Sequence, residues 1–152
     1  MDRYDPSQWN SRFARNNEKE CLEILEAMNA AMKNALSERE YLAAAQCCNK
    51  LCDGLICMVE ANGDRYAPMF YAYSFILSQI CMFGIGGERG LRAAIPPLQD
   101  AYEYAEKCSR NSERAKKEAT LIGNVIEALK NGYAPEEVKE KFDIDFPENI
   151  IG

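Results

Sequence analysis

The sequence predicts an all-α fold, with about five main antiparallel helices and a short C-terminal one arranged as helical hairpins or a compact bundle. Apolar residues recur at three- and four-residue spacing along almost the whole chain, and nothing longer than a few residues alternates with the period of two a strand requires. Clusters of Gly, Asn, Pro and Ser cut this pattern into lengths that suit helices joined by short loops. At 152 residues the chain has the size of one domain, able to bury about two-thirds of its unfolded surface without disulfide staples. Three regions follow: an irregular N-terminal arm over 1–16, a single all-helical domain over 17–146 and a tail over 147–152.

The arm carries Pro6, Trp9 and several Asn and Arg without periodicity, and Trp9 and Phe13 are the residues able to pin it to the body. From Asn17, Cys21, Leu22, Leu25, Met28, Met32 and Leu36 follow helical spacing. Glu18, Glu20, Glu23 and Glu26 fall in the early turns, where the positive end of the helix dipole favours them. This first helix is expected to reach about Ala35. "SERE" at 37–40 has the form of a capping box, Ser37 offering its oxygen to a free amide and Glu40 reaching back, so a second helix is expected from there to about Ala61. "ANGD" at 61–64 supplies a stop, with Asp64 expected to cap a third helix that holds Pro68 in its first turn.

The third helix runs into "GIGGERG", 84–90. Because proline disrupts a helix interior, Pro96 and Pro97 place the next start near Ile95, with an end near Cys108 and a short turn over 88–94. "SRNS" at 109–112 precedes a helix from Glu113 to Lys130 striped by Ala115, Ala119, Ile122, Ile126 and Leu129. "NGYAPEEV" stops it and opens a short helix from Pro135 to about Phe142.

Tyr66 to Gly87 contains no charged residue, which is the length of a membrane span. Ser74, Ser78, Gln79 and three tyrosines dilute it, and no Lys/Arg cluster flanks it, so a central buried helix is the reading. The opening "MDRYDPSQWN" lacks a basic region followed by an apolar run, so no secretory leader is expected, and seven cysteines suit reduced thiols in the cytoplasm. A net charge of −6 and a pI of about 4.8 repel phosphate backbones and anionic lipid, so neither nucleic acid nor membrane is an expected partner.

"QCCNKLCDGLIC", 46–57, holds four cysteines. On a helical wheel, at about 100° and 1.5 Å per residue, Cys47, Cys48, Cys52 and Cys57 spread too widely to surround one zinc. Cys48 and Cys52 fall in the core stripe, where a thiol behaves as a small hydrophobe. Cys47 belongs at its edge. Cys57 shares an arc with Asn49, Lys50, Asp53 and Glu60 and is expected to point away from the main core, with no base to activate it.

The chain has no histidine, which excludes Ser-His-Asp triads, "HExxH" proteases and "ExxH" di-iron bundles. "GIGGERG" misses the dinucleotide "GxGxxG" by one place and follows a helix, leaving phosphate held by Arg89, Arg92 and free amides as a minor reading. Glu20, Glu23 and Glu26 share the "ExxE" spacing of magnesium-binding helical pyrophosphohydrolases, but the "ExxD" that completes such a site on a neighbouring helix is not expected anywhere in this chain. No enzyme, cofactor or metal is expected.

In "AIPPLQDAYEYAEKC" the order Ala94, Leu98, Ala101 resembles the small, large, small spacing of the second helix of a tetratricopeptide repeat. "ATLIGNVIEALKNGY" resembles its first helix, with Ile122 and Gly123 at the Leu-Gly position. Ala44, Cys48 and Leu51 echo the pattern more loosely, about fifty residues earlier instead of thirty-four. The resemblance spans roughly 40–130 and implies a non-catalytic surface for a protein or peptide; separately, a homo-oligomer is left open. "LKNGYAPEEVKEKFDID" resembles a short helix-turn-helix tail of bacterial proteins, but it lacks the positive charge of a DNA-recognition helix and is read as a cap on the bundle.

Tyrosine pairs a large apolar area with a hydroxyl, which suits a half-wet groove. The candidate binding residues are therefore Phe70, Tyr73 and Tyr102 with Arg89 and Arg92, in a groove walled by the third and fourth helices. A small-ligand pocket or regulatory bundle built from the same residues is the alternative.

Overall fold

The computed structural model describes residues 5–144 and is all-α, with no strand among them. The helices are α1 (Ser11–Asn16), α2 (Glu18–Ser37), α3 (Tyr41–Asn62), α4 (Ala67–Gln79), α5 (Gly87–Cys108), α6 (Glu113–Lys130) and α7 (Pro135–Lys141). Short 3-10 turns cover Pro6–Gln8 and Gly63–Tyr66, and a π-helical segment, Ile80–Ile85, carries α4 towards α5. The tail expected over 147–152 lies outside the described residues.

The region expected to be an irregular arm is ordered by two local caps. Asp5 Oδ1 accepts from the Ser7 amide at 3.1 Å and Asn10 Oδ1 from the Phe13 amide at 2.8 Å. These start a 3-10 turn and α1, which then bury Pro6, Trp9 and Ala14. Trp9 and Phe13 do pin this segment, Trp9 buried in the core with Phe13 packed against it and their ring centroids 5.7 Å apart. The close seat is made by Gly54 of α3, where a Cβ would stand 2.6 Å from Leu25 Cδ2 and 3.0 Å from Pro6 Cβ.

The capping box expected at "SERE" does not form, because α2 runs two residues further than Ala35. Ser37 is its last residue, and its hydroxyl donates back to the Asn34 carbonyl at 2.7 Å. Glu40 instead completes a C-terminal lock: its amide bonds the Ala35 carbonyl at 2.9 Å and that of Arg39 bonds Leu36 at 3.0 Å, with Arg39 left-handed at φ 58°. Gly132 and Tyr133 close α6 in the same way, and Asp143 and Ile144 close α7. Asp64 does not cap α4 either, since it sits inside the 3-10 turn that precedes it. Pro68 does occupy the first turn of α4.

The largest departure is α5, which starts at Gly87 and passes through Pro96 and Pro97. The two prolines remove the amides that would bond the carbonyls of Arg92 and Ala93. The helix survives because Pro96 is exposed and Pro97 half-exposed, so the missing bonds lie on its open side, while Ala94, Leu98, Ala101 and Ala105 bury the other.

Two apolar clusters build the core. One joins the N-terminal segment, α2, α3 and α4 around Met32, Leu55, Met58 and Ile80. The other joins α5, α6 and α7 around Leu98, Ile122, Val125 and Val138, with Tyr71 of α4 reaching into it, so α7 caps the bundle. Each fully buried Leu or Ile contributes about 1.5–3 kcal/mol by leaving water. The run Tyr41–Ile85 is long and apolar enough to cross a membrane by length and composition, and half of its most apolar window is buried against the other helices.

Candidate functional site

The helix α4 touches both α3 and α5, whereas α3 and α5 scarcely touch each other. Two clefts of about 400 and 310 Å³ open between them and share Asn49, Leu77, Pro96 and Pro97, so they form one groove. Along it α3 presents Leu42, Ala45, Asn49, Asp53 and Ile56, while α5 presents Arg89, Ala93, Pro96, Asp100 and Glu103. The numbers rise together on the two walls and fall along the floor from Cys81 through Leu77 and Ser74 to Phe70. The walls are thus parallel, and α4 runs opposite to both. At 1.5 Å per residue the groove is about 21 Å long, nearly four helical turns.

Its two ends differ in chemistry. One is apolar, with Leu42 52% exposed beside Ala45, Leu77, Cys81, Ile85 and Ala93, and Arg89 at its mouth. The other gathers Asp53, Asp100 and Glu103 near Phe70 and Tyr104, whose rings meet edge to face at 4.8 Å. Burial raises the pKa of Asp53, with the Asp5 charge adding to it, and burial with the neighbouring Glu103 raises that of Asp100. Among the described residues neither forms an ion pair, while Glu103 meets Lys107 at 3.5 Å. The freed carbonyls of Arg92 and Ala93 add acceptors on the same helix.

The five residues expected to form one site are spread over the molecule. Phe70 lies in the floor and Arg89 at the mouth. Tyr73 lines a different cleft with Leu22, Leu25 and Met69, its hydroxyl donating to Asn29 Oδ1 at 3.0 Å. Tyr102 lies over Gly123 of α6, donating to Glu106 Oε2 at 2.7 Å. Arg92 is exposed and pairs with Glu88 at 3.2 Å. The expected groove was walled by the third and fourth helices; α4 and α5 pack directly on each other, so α4 forms the floor and α3 supplies the second wall. What sequence reasoning missed is a matched stripe, 42, 45, 49, 53, 56 on one helix and 89, 93, 96, 100, 103 on another, both at helical spacing.

The cysteines are free thiols. Cys48 and Cys52 are buried as expected, Cys48 directing its thiol at the Tyr73 carbonyl at 3.4 Å, and Cys47 is half-buried at the edge of the stripe. Cys57 departs from expectation: it is only 9% exposed, because the N-terminal segment covers it and the Trp9 carbonyl lies 3.5 Å from its sulfur. Among the described residues no three His, Cys, Asp or Glu side chains gather in a way that could hold a metal ion. The "ExxD" spacing does occur, at Glu140 and Asp143, but at the far end of the chain on α7 and its cap. No family model, no curated protein and no solved structure matches this chain.

Proposed function

We propose that this protein is a non-catalytic interaction module that holds a segment of a protein or peptide partner in the α3/α5 groove, in the manner of a tetratricopeptide-like surface. The observation that carries this is the groove itself: two parallel helical walls on a shared floor, long enough for a partner helix of nearly four turns, with apolar side chains at one end open to solvent. The α5/α6 pair supports the tetratricopeptide comparison, since Gly123 lets Tyr102 lie across it where a Cβ would stand 3.0 Å from the ring. A small-ligand pocket would call for an enclosed cavity, and the open clefts favour an extended occupant.

The test is a synthetic amphipathic helical peptide with leucines along one face, titrated by fluorescence anisotropy. Leu42→Asp with Ala93→Glu puts charge into the apolar end at two exposed positions that carry little of the fold. Affinity is expected to fall at least tenfold, corresponding to about 1.4 kcal/mol, with the melting temperature retained. Equal binding to the variant rules the groove out as the docking surface.

A further inference from the structure

The Phe70 end of the groove is lined by three carboxylates, Asp53, Asp100 and Glu103, and among the described residues by no Lys or Arg. Asp53 on α3 and Asp100 on α5 reach into the same cleft from opposite walls, and Glu103 stands one turn beyond Asp100. Two prolines on the α5 wall leave the Arg92 and Ala93 carbonyls without their helical amides. Lys107 lies over the Tyr104 ring at 4.4 Å and pairs with Glu103, which leaves the charges of Asp53 and Asp100 outside any ion pair among the described residues, while Arg89 sits at the opposite end. Asp53 is half-buried and Asp100 exposed; a group that brings several N–H donors and a positive charge complements carboxylates on both walls.

We infer that the groove recognises an amphipathic helix carrying an Arg or Lys at one end, its cationic group seated between Asp53 and Asp100 and its apolar face on Leu42, Leu77 and the two prolines. This rests on the groove reading above and adds the partner's charge pattern. Asp53 lies eleven residues along α3 from Leu42 and eight from Ala45, about 16 and 12 Å of helix. The cation therefore belongs two to three turns from the partner's leading apolar side chain. Its placement at the partner helix's C-terminus agrees with the dipole of that helix. The Tyr104 and Phe70 rings beside the carboxylates give the stem of such a side chain an apolar wall.

Two synthetic helical peptides decide the matter: one with a leucine face and a pair of arginines in its last turn, the other identical but with glutamates there. The arginine peptide is expected to bind at least about tenfold more tightly, with a preference that weakens as salt is raised. Asp53→Asn with Asp100→Asn, which keeps shape and removes both charges, is expected to bring the two affinities together. Equal affinity of both peptides for the native protein overturns the charge assignment and leaves the groove reading standing. A preference that survives in the double variant places the cation elsewhere and also overturns it. Failure of both peptides to bind overturns the groove reading and this inference with it.

Discussion

Gly90 of α5 packs against the carbonyl oxygen of Cys81 in the π-helical segment so closely that no side chain fits: a Cβ there would lie well inside 3.0 Å of that oxygen. The neighbour is backbone, held by the amide of Gly86, which donates to the same oxygen at 3.0 Å. Gly90→Ala is therefore expected to destabilise the fold by about 1–3 kcal/mol, the usual cost of overpacking. Urea denaturation measures it, and a loss below about 0.5 kcal/mol would show that the α4–α5 junction yields.

The buried N-terminal segment makes Trp9, the chain's one tryptophan, a direct reporter. At 8% exposure its emission is expected to be blue-shifted in the native state and to move red in one step with the loss of helix on denaturation. Trp9→Ala empties the space over Gly54 and Cys57 and should cost about 3–5 kcal/mol. An early, separate red shift would mean that this segment detaches before the bundle melts.

Thiol chemistry should divide by depth. Cys47 and Cys108 are half-buried and are expected to react first with Ellman's reagent, while Cys21, Cys48, Cys52, Cys57 and Cys81 wait for unfolding. Fast modification of Cys57 in the native protein would contradict its cover by the Trp9 backbone. Exposure of the thiol and partial opening of the segment would then be read together in the Trp9 signal.

Alkali gives a separate check with a defined sign. Burial pushes the Cys21 thiol from 9.0 up to about 11 and the Tyr71 hydroxyl from 10.0 up to about 12. The folded state holds both protons more tightly than the unfolded chain. Their stabilising contribution is complete below pH 9 and falls as pH rises, through 11 for Cys21 and between 10 and 12 for Tyr71. Melting temperature followed from pH 8 to 11 should decline, and Cys21→Ser should flatten the first part of that decline.

Much of the architecture was legible in the sequence because it is written in local signals. Glu113–Lys130 was readable to the residue from the "SRNS" break, whose Ser112 accepts from the Ala115 amide at 3.1 Å, and from the "NG" stop that supplies Gly132. The errors came where a local rule met a tertiary context. Pro96 and Pro97 looked like a helix start because proline spoils a helix interior, and only the openness of one side of α5 makes them tolerable there. Ser37 and Glu40 matched a capping box, but Arg39 adopts the left-handed conformation usually left to Gly or Asn, and the motif closes the preceding helix instead of opening the next.

The candidate site was less legible for a related reason. Attention to tyrosines selected Tyr73 and Tyr102, whose hydroxyls are satisfied by Asn29 and Glu106 on other faces of the bundle. The groove depends on which faces of α3 and α5 look at each other across α4, and helical periodicity gives a face without naming its neighbour.

The two walls are fastened to a common floor and hardly to one another, so the width of the groove is a mechanical variable. The floor helix α4 continues through the π-helical segment into the tight seat of Gly90 on the Cys81 carbonyl. The floor and the α5 wall are therefore joined by close backbone contact at the apolar end of the groove, whereas the α3 wall has no such tie to α5.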